Sequence, residues 1–364
     1  MSNIEVQTER PMEPSHKLDN SQSCPGKSKR PIVIGHRGFR MNRSPEENVR
    51  ENTVYSLKEG HRAGAEVVEF DVQITSDGIP VLWHDDRVVT LVDNSEICSR
   101  EVSELTLCEF RTVTTGRSVD LGGRKHQLVR KFKSQQPTEG ELPWTCKGAV
   151  APDLPEDISG NSATLQEALE GTPVELGFNI ELKYDSNRPS SPQEREAHLT
   201  KILLVVGTFA SERQILFSSF DVDACLEVRR MQDKYPVYLL TCMDPVHPDP
   251  RRRSLKAAVD VVLGEGNLNG VVAYSNNLFS EFEQIKRLKE ANLPLFTYGE
   301  GNSDPSLVAM QILAGATGVI TDSIDICHET LKKLMELNIN NISLGKDLTE
   351  VLSASVTQKQ AVAA

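Results

Sequence analysis

Residues 66–86 read EVVEFDVQITSDGIPVLWHDD, and this stretch decides how the chain is expected to fold. Residues 67–75 alternate polar and apolar side chains and are rich in β-branched residues, which predicts a strand. Residues 76–78 read SDG, a turn sequence, and residues 80–84 predict a second short strand. The stretch is therefore expected to form a β-hairpin.

The turn determines which residues of the hairpin share a face. If Asp77 and Gly78 form a two-residue turn, Asp71 lies opposite His84. Directly opposed residues share a face of the sheet, and so do residues two apart along one strand. Glu69, Asp71 and His84 should therefore converge between apolar neighbours, which indicates a polar site rather than an ordinary core.

The composition is typical of a globular protein. The 364 residues, 38% of them hydrophobic, suffice for one large α/β domain or two smaller ones. The net charge of −12 argues against nucleic acid or an anionic membrane surface as the main partner. Seven cysteines without CxxC spacing favour a reducing compartment, and the first thirty residues lack the features of a targeting peptide. We expect a cytoplasmic protein without stable membrane association, whose oligomeric state the sequence leaves open.

Composition also divides the chain. Residues 1–30 are polar and aperiodic, which predicts a disordered N-terminal segment, and residues 341–364 are expected to form a flexible tail. The folded domain should span residues 31–340, with an insertion over residues 87–160 that contains a short helix near residues 103–110. A basic run in the insertion predicts a solvated loop, with an anion-binding patch as the alternative. It consists of Arg124, Lys125, Arg130, Lys131 and Lys133.

Strands and helices alternate from residue 164 onward, which is the order of a parallel sheet. In the whole chain nine strands are predicted, beginning near Pro31, Val67, Pro80, Gly177, Ile215, Val237, Gly270, Pro294 and Gly318. The strand near Pro80 follows a tight turn, whereas a parallel neighbour needs a crossover of a dozen or more residues. Eight parallel strands remain, the number that closes a (β/α)8 TIM barrel. An open doubly wound sheet is the alternative, but Gly35 and Gly38 alone do not supply its Gly-rich phosphate loop.

A barrel gathers the C-terminal ends of its strands into one mouth, where active sites lie. Three carboxylates are expected there, Glu69 and Asp71 from one strand and Glu181 from the next. Because such groups repel one another, they predict a hard divalent cation, Mg²⁺ or Ca²⁺, bound through oxygen ligands. Zinc would call for more imidazole or thiolate.

Two histidines and two cationic side chains complete the predicted mouth. His36 and His84 suit an acid and a base, since imidazole exchanges a proton near pH 7. Arg37 and Lys183 suit a phosphate rather than a neutral substrate. Together these groups predict a phosphodiester site. The other histidines are expected to be structural or at the surface: His16, His61, His126, His198, His247 and His328.

Five motifs in this order resemble the glycerophosphodiester phosphodiesterase family. They are His36-Arg37-Gly38, Glu51-Asn52-Thr53, Glu69-Phe70-Asp71-Val72, His84-Asp85 and Glu181-Leu182-Lys183. The similarity extends from about Pro31 to Leu337, and the long insertion resembles the eukaryotic branch, most closely its plant-type cytosolic members. Arg50 stands where the family usually has Pro before Glu-Asn, while residues 45–48, PEEN, form a similar motif just upstream. Phe296 and Gly299 replace a usual Trp and Asn.

The resemblance implies a role for each residue of the mouth. Its implied metal ligands are Glu69, Asp71 and Glu181; its acid and base are His36 and His84; its phosphate contacts are Arg37 and Lys183; and Glu51 borders the site. The implied substrate is a deacylated phospholipid such as glycerophosphocholine, cleaved to sn-glycerol 3-phosphate and the free alcohol. In that mechanism the glycerol 2-hydroxyl attacks phosphorus, one histidine takes its proton, the other protonates the leaving alcohol, and water opens the cyclic phosphate.

Two other functions fit parts of the pattern. A lyase acting on phospholipid head groups would stop at the cyclic phosphate, but on intact lipid it would need an apolar or aromatic rim, and only 5% of the residues are aromatic. A non-catalytic binder of phosphorylated polyols would be favoured by loss of a histidine or an acid, and the sequence retains them all.

Overall fold

The structure is a computed structural model that describes residues 30–42, 49–115, 118–130, 162–184, 190–264 and 267–336. Three sets of predictions lie outside these ranges: residues 1–29 of the predicted N-terminal segment, the predicted tail at residues 341–364, and residues 131–160 of the predicted insertion. The PEEN motif at residues 45–48 is likewise outside them.

The described residues contain thirteen strands and nine α-helices. The strands are β1 (Ile32–Gly35), β2 (Val67–Ile74), β3 (Pro80–Leu82), β4 (Arg87–Val92), β5 (Glu96–Glu101), β6 (Val119–Leu121), β7 (Arg124–Val129), β8 (Gly177–Leu182), β9 (Ile215–Ser219), β10 (Val237–Thr241), β11 (Gly270–Tyr274), β12 (Leu295–Tyr298) and β13 (Gly318–Thr321). The helices are α1 (Val54–Arg62), α2 (Leu107–Thr114), α3 (Leu165–Gly171), α4 (Pro192–Phe209), α5 (Val222–Met231), α6 (Leu255–Gly264), α7 (Phe282–Glu290), α8 (Pro305–Ala314) and α9 (Ile324–Glu336). Not one of the helices in the described ranges has both the length and the apolar character needed to cross a membrane.

Eight of the strands form a closed parallel barrel, which confirms the predicted (β/α)8 fold. Their order is β1-β13-β12-β11-β10-β9-β8-β2, and pairing of β1 with β2 closes the ring at Gly35 and Val68. β3 pairs antiparallel with β2 and stays outside the ring, as its tight connection requires.

The two-residue period of the strands separates the inside of the barrel from its outer layer. The interior is filled by Ile32, Ile34, Val67, Leu216, Tyr238, Leu240, Val272, Phe296 and Ile320. On β2, Val68, Phe70 and Val72 point the other way and pack under the helices. Glu69 and Asp71 therefore face inward, above the plug formed by Val67 and its neighbours, at the C-terminal end of the barrel.

The hairpin is present, but its predicted register is wrong. Val72 pairs with Leu82, and Thr75 N donates to Ile79 O at 3.1 Å, so the connecting loop has three residues instead of two. Gly78, with φ of +85°, adopts the left-handed conformation typical of the last position of such loops. Trp83 consequently lies opposite Asp71, to whose carbonyl its N–H donates at 3.0 Å.

The described part of the insertion is a small subdomain. Strands β4 to β7 form an antiparallel sheet in the order β5-β4-β7-β6. Its core contains side chains from β3, β4, α2 and β7, including the edge-to-face pair of Trp83 and Phe110, whose ring centroids are 5.7 Å apart. His126, predicted to be structural or at the surface, is buried and has Nδ1 3.0 Å from Thr90 Oγ1.

The predicted solvated loop for the basic run is therefore wrong in the described residues. Arg124 and Lys125 begin β7, where Arg124 pairs with Asp93 and Glu96. Arg130 directly follows β7 and is buried. Lys131 and Lys133 lie outside the described residues. A strand forms here because His126 and Leu128, two residues apart, are buried on one face, while Arg124 and Lys125 are exposed at its start.

Candidate active site

Neighbouring strands bring the three predicted metal ligands together. β2 pairs with β8 so that Asp71 is beside Glu181, and Glu69 is two residues earlier on the same face. One carboxylate oxygen from each of the three lies within 4.8 Å of the others, and all three residues are buried. This is the convergence that the sequence predicted for the carboxylates.

Burial and neighbouring charges move the pKa values of Glu69 and Asp71 in opposite directions. Burial, followed by the charge of Asp71, raises the pKa of Glu69 to about 8. Burial also acts to raise the pKa of Asp71, but the nearby charges of His84, Lys183 and Arg37 outweigh it and hold that pKa below its usual range. Ionising Glu69 beside Asp71 is therefore unfavourable, and a hard cation bound to these oxygens would offset the repulsion.

The donor set also fits a cation in its hydrogen bonding. Asp71 Oδ1 is buried and accepts no hydrogen bond from any residue that the structure describes. Lys183 Nζ lies 3.7 Å from this oxygen and 3.2 Å from Glu181 Oε1. A buried carboxylate oxygen that lacks a donor calls for a partner, and the clustered oxygens of Glu69, Asp71 and Glu181 are of the kind that Mg²⁺ or Ca²⁺ prefers.

The turn after β1 fixes the orientation of the cluster. Arg37 has φ of +51° and donates its N–H to Glu69 Oε2 at 2.8 Å. Its Nη1 donates to Glu51 Oε1 at 3.0 Å, and burial and the charge of Glu51 have opposing effects on its pKa, which is raised overall. Gly38 is required next, because a Cβ at this position would lie 2.6 Å from Ser56 Oγ.

Glu51 and Asn52 lie beside the cluster, each hydrogen-bonded to a predicted site residue. Asn52 Nδ2 donates to Asp71 Oδ2 at 2.8 Å, and Asp71 N donates back to Asn52 Oδ1 at 3.1 Å. Asn52 has φ of +56°, a conformation that asparagine tolerates better than most residues. Glu51 accepts from Arg37 Nη1 and from Asn42 N, so it orients the Arg37 side chain.

The two histidines are each held by an aspartate. His36 Nδ1 lies 2.8 Å from Asp322 Oδ1, and His84 Nδ1 lies 3.0 Å from Asp85 Oδ1. Burial lowers the pKa of His36, but the charge of Asp322 and its hydrogen bond outweigh burial, so that pKa is raised overall. Both imidazoles thus have a fixed Nδ1 partner, the usual way in which proteins orient a ring for proton transfer at the other nitrogen.

His84 reaches the mouth by a route that the sequence did not predict. Its strand ends at Leu82, and Trp83 turns its side chain into the core of the insertion. His84 then lines a cavity shared with Arg37 and Glu51, and its charge lowers the pKa of Asp71. All eight predicted site residues therefore lie at the same mouth.

The sequence predicted no role for Asp322, which directly follows the last strand of the barrel. Asp322 is two residues beyond the interior residue Ile320, so strand periodicity turns it toward the mouth. Its side chain binds His36 and also accepts from Met41 N at 3.1 Å. The two-residue period of the strand could thus have placed Asp322 at the mouth. Its pairing with His36 could not be predicted, because it depends on closure of the barrel.

A (β/α)8 barrel with three clustered carboxylates, two aspartate-held histidines and two cationic side chains at its mouth is typical of hydrolases of phosphorylated substrates. A sequence model of the glycerophosphoryl diester phosphodiesterase family matches residues 36–326. The chain belongs to this family and is a glycerophosphodiester phosphodiesterase, an enzyme of the phosphoric diester hydrolase class.

The similar proteins support the eukaryotic branch. Glycerophosphodiester phosphodiesterase GDPD1, chloroplastic, of Arabidopsis thaliana is 36% identical, with 84% of this chain and 81% of the relative covered. Glycerophosphocholine phosphodiesterase GPCPD1 of Homo sapiens is 30% identical, with 81% of this chain but 44% of the relative covered.

Solved structures share the fold. A crystal structure described as a glycerophosphoryl diester phosphodiesterase from Silicibacter pomeroyi has a TM-score of 0.62 at 22% identity and covers 84% of this chain and 94% of its own. A phosphodiesterase from Oleispira antarctica, solved in complex with the product sn-glycerol-3-phosphate, has a TM-score of 0.57 at 20% identity and covers 84% and 99%.

Proposed function

We propose that this enzyme hydrolyses deacylated phospholipids such as glycerophosphocholine to sn-glycerol 3-phosphate and the free alcohol, using a divalent cation and two histidines. The observation that carries the proposal is the buried cluster of Glu69, Asp71 and Glu181 at the mouth that also contains His36 and His84. The family, and the product bound in the Oleispira antarctica structure, support this substrate class.

In this proposal Glu69, Asp71 and Glu181 hold the cation, Mg²⁺ or Ca²⁺. When bound, the cation would neutralise negative charge on the non-bridging phosphoryl oxygens. Lys183 and Arg37 add positive charge beside the same oxygens. Arg37 Nε makes no hydrogen bond within the described part of the chain, so it has a donor to offer to a phosphate.

The two histidines carry the protons. One takes the proton of the glycerol 2-hydroxyl as its oxygen forms a bond to phosphorus, and the other protonates the leaving alcohol as its bond to phosphorus breaks. The cyclic phosphate then adds one water with the roles reversed, and sn-glycerol 3-phosphate results. Asp322 and Asp85, each bonded to one imidazole, stabilise the ring when it is charged.

The test is release of sn-glycerol 3-phosphate from glycerophosphocholine by the purified chain, with Mg²⁺ or Ca²⁺ and then with chelator. We expect the release to depend on the cation. His36→Ala and His84→Ala should each abolish it. His328→Ala is the matched control, because His328 binds Gly64 O at the opposite end of the barrel. Accumulation of a cyclic phosphate would favour the lyase, and binding without turnover would favour the non-catalytic binder.

We also propose cytoplasmic action on a small-molecule substrate, without a nucleic-acid partner or stable membrane association. The name of the Arabidopsis relative includes a chloroplast location, so a fluorescent fusion to the full chain is the appropriate test. The division into residues 1–30, 31–340 and 341–364 remains part of this proposal, and limited proteolysis tests it.

A further inference from the structure

The cavity that His84 lines together with Arg37 and Glu51 extends from the mouth to the space between the barrel and the insertion. Its volume is about 90 Å³, and Arg37 and His84 form the side that it shares with the active site. Its polar wall also contains the arginines Arg50 and Arg130, the hydroxyl of Ser162, and the carboxylates of Glu51 and Asp85. Neither Arg50 nor Arg130 is used in the mechanism described above.

Arg130 is buried and has no partner among the residues that the structure describes. It is 8% exposed and lines the cavity, yet its guanidinium makes no hydrogen bond or ion pair with any residue in the described ranges. Burial lowers its pKa to about 10, with smaller opposing effects of Glu51 and Asp85. A buried guanidinium normally has a partner for its planar set of donors, so this one is available to a ligand.

Arg50 adds a second charge to the same wall. It is 3% exposed, and its Nη2 donates to the uncharged Ser162 Oγ at 3.1 Å. Burial, followed by the charge of Arg130, holds the pKa of Arg50 well below its usual range. With Arg37, the two make three arginines against two carboxylates in the cavity lining, so the cavity has a net positive charge.

The two carboxylates that line the cavity, Glu51 and Asp85, already have partners. Glu51 accepts from Arg37 Nη1, and Asp85 lies 3.0 Å from His84 Nδ1. Within the described residues this leaves Arg50 and Arg130 without a carboxylate in contact. The wall therefore has the composition of an oxyanion site, as guanidinium groups bind carboxylates and phosphates through paired N–H donors.

We propose that this cavity is a subsite for a second oxyanion on the alcohol part of the substrate, so that the enzyme prefers glycerophosphodiesters of acidic alcohols. The proposal rests on the proposed function and narrows its substrate class. The volume equals that of about three water molecules in the liquid, enough for one carboxylate or phosphate group. The alternative of an anion-binding role for the basic run thus applies to Arg130.

Glycerophosphoserine and glycerophosphoethanolamine provide the test, because they differ by one carboxylate. We expect kcat/KM to be about tenfold or more higher for the serine ester, the size of effect that a charged hydrogen bond provides. Arg130→Gln should bring this ratio close to one, and Arg130→Lys should retain part of it. Arg124→Gln, an exposed position at the start of β7, is the matched control and should keep the ratio.

A parallel pair identifies the anion. If the subsite takes phosphate rather than carboxylate, glycerophosphoinositol 4-phosphate should be preferred over glycerophosphoinositol, and Arg130→Gln should remove that preference. Equal kcat/KM within both pairs, or preferences that survive Arg130→Gln, would overturn the subsite. Arg130→Gln breaks no hydrogen bond to the described residues, so we expect its unfolding temperature to be equal or higher.

The subsite and the proposed function fail separately. If the wild-type chain turns over none of the four esters, the proposed hydrolysis fails. The same comparison is then made with dissociation constants from calorimetry. Equal affinities within both pairs would overturn the subsite, and a preference lost in Arg130→Gln would support it.

Discussion

At the scale of single residues, the most informative contact is the one between His36 and Asp322, because it sets a protonation equilibrium. Asp322 counteracts burial and raises the pKa of His36. Asp322→Asn removes that charge, so the pKa of His36 should fall, and the limb of the pH profile of kcat/KM that reports His36 should move to lower pH. This holds whether His36 acts as acid or base.

The matched control is Asp325→Asn, an exposed aspartate three residues further along the chain. It should leave the pH profile unchanged. A profile that keeps its shape in Asp322→Asn, with only a uniform loss of activity, would mean that Asp322 supports the fold and not the protonation of His36.

The second prediction at this scale concerns cation binding. Glu181→Gln preserves the size of the side chain but removes the charge of one of the three carboxylates proposed to hold the cation. We expect calorimetric titration with Ca²⁺ and with Mg²⁺ to show a dissociation constant raised about tenfold or more. Glu175→Gln, exposed before the same strand, should bind as the wild type does. An unchanged dissociation constant in Glu181→Gln would remove this residue from the ligand set.

At the scale of elements, the insertion positions the active site through Trp83. Trp83 packs edge-to-face on Phe110, which is fully buried, and His84 is the next residue. Phe110→Ala should lower the free energy of unfolding by about 3–5 kcal/mol and also reduce kcat/KM, because Trp83 loses its support. Urea unfolding and steady-state kinetics measure the two effects.

Ile97→Ala is the control, since Ile97 is 55% exposed on β5 of the same subdomain. Its free energy of unfolding should change by no more than about 0.5 kcal/mol. If Phe110→Ala loses stability but keeps wild-type kcat/KM, His84 is positioned independently of this core.

Some strands could be predicted from the sequence and others could not. β2 was predictable because Val68, Phe70 and Val72 alternate with polar residues. β5 was not, since its six residues, EICSRE, are mostly polar and leave no alternating pattern, and only pairing with β4 makes them a strand. The hairpin register depended on whether two or three residues formed the loop, a choice that Ser76-Asp77-Gly78 leaves open.

At the scale of the whole molecule, the barrel could be predicted because the sequence pattern indicates each of its strands separately. Eight parallel strands are the number that closes such a barrel. The side chains of the mouth followed from their places at strand ends. The sequence could not predict hydrogen bonds between the first and last strands of the ring. One example joins His36 to Asp322, which are 286 residues apart in the chain. The buried state of Arg130 likewise depends on how the insertion packs against the barrel.

The last prediction links the site to the stability of the fold. The cluster of Glu69, Asp71 and Glu181 consists of side chains from β2 and β8. Its hydrogen-bond donors come from the turn after β1 and from the loop before α1. An unfolded chain does not hold these carboxylates together, so a cation should bind the native state and stabilise it. At a cation concentration of one hundred times the dissociation constant, the free energy of unfolding should rise by about 2.7 kcal/mol.

Chemical unfolding with cation and with chelator measures this increase, and Glu181→Gln at the same cation concentration is the comparison. A smaller increase in Glu181→Gln would mean that native-state binding at the cluster is the cause. An equal increase in both would assign the stabilisation to ions elsewhere on this acidic chain. No increase in the wild type would instead mean that Arg37 and Lys183, 4.0 and 3.7 Å from the Asp71 carboxylate, already balance the cluster without a cation.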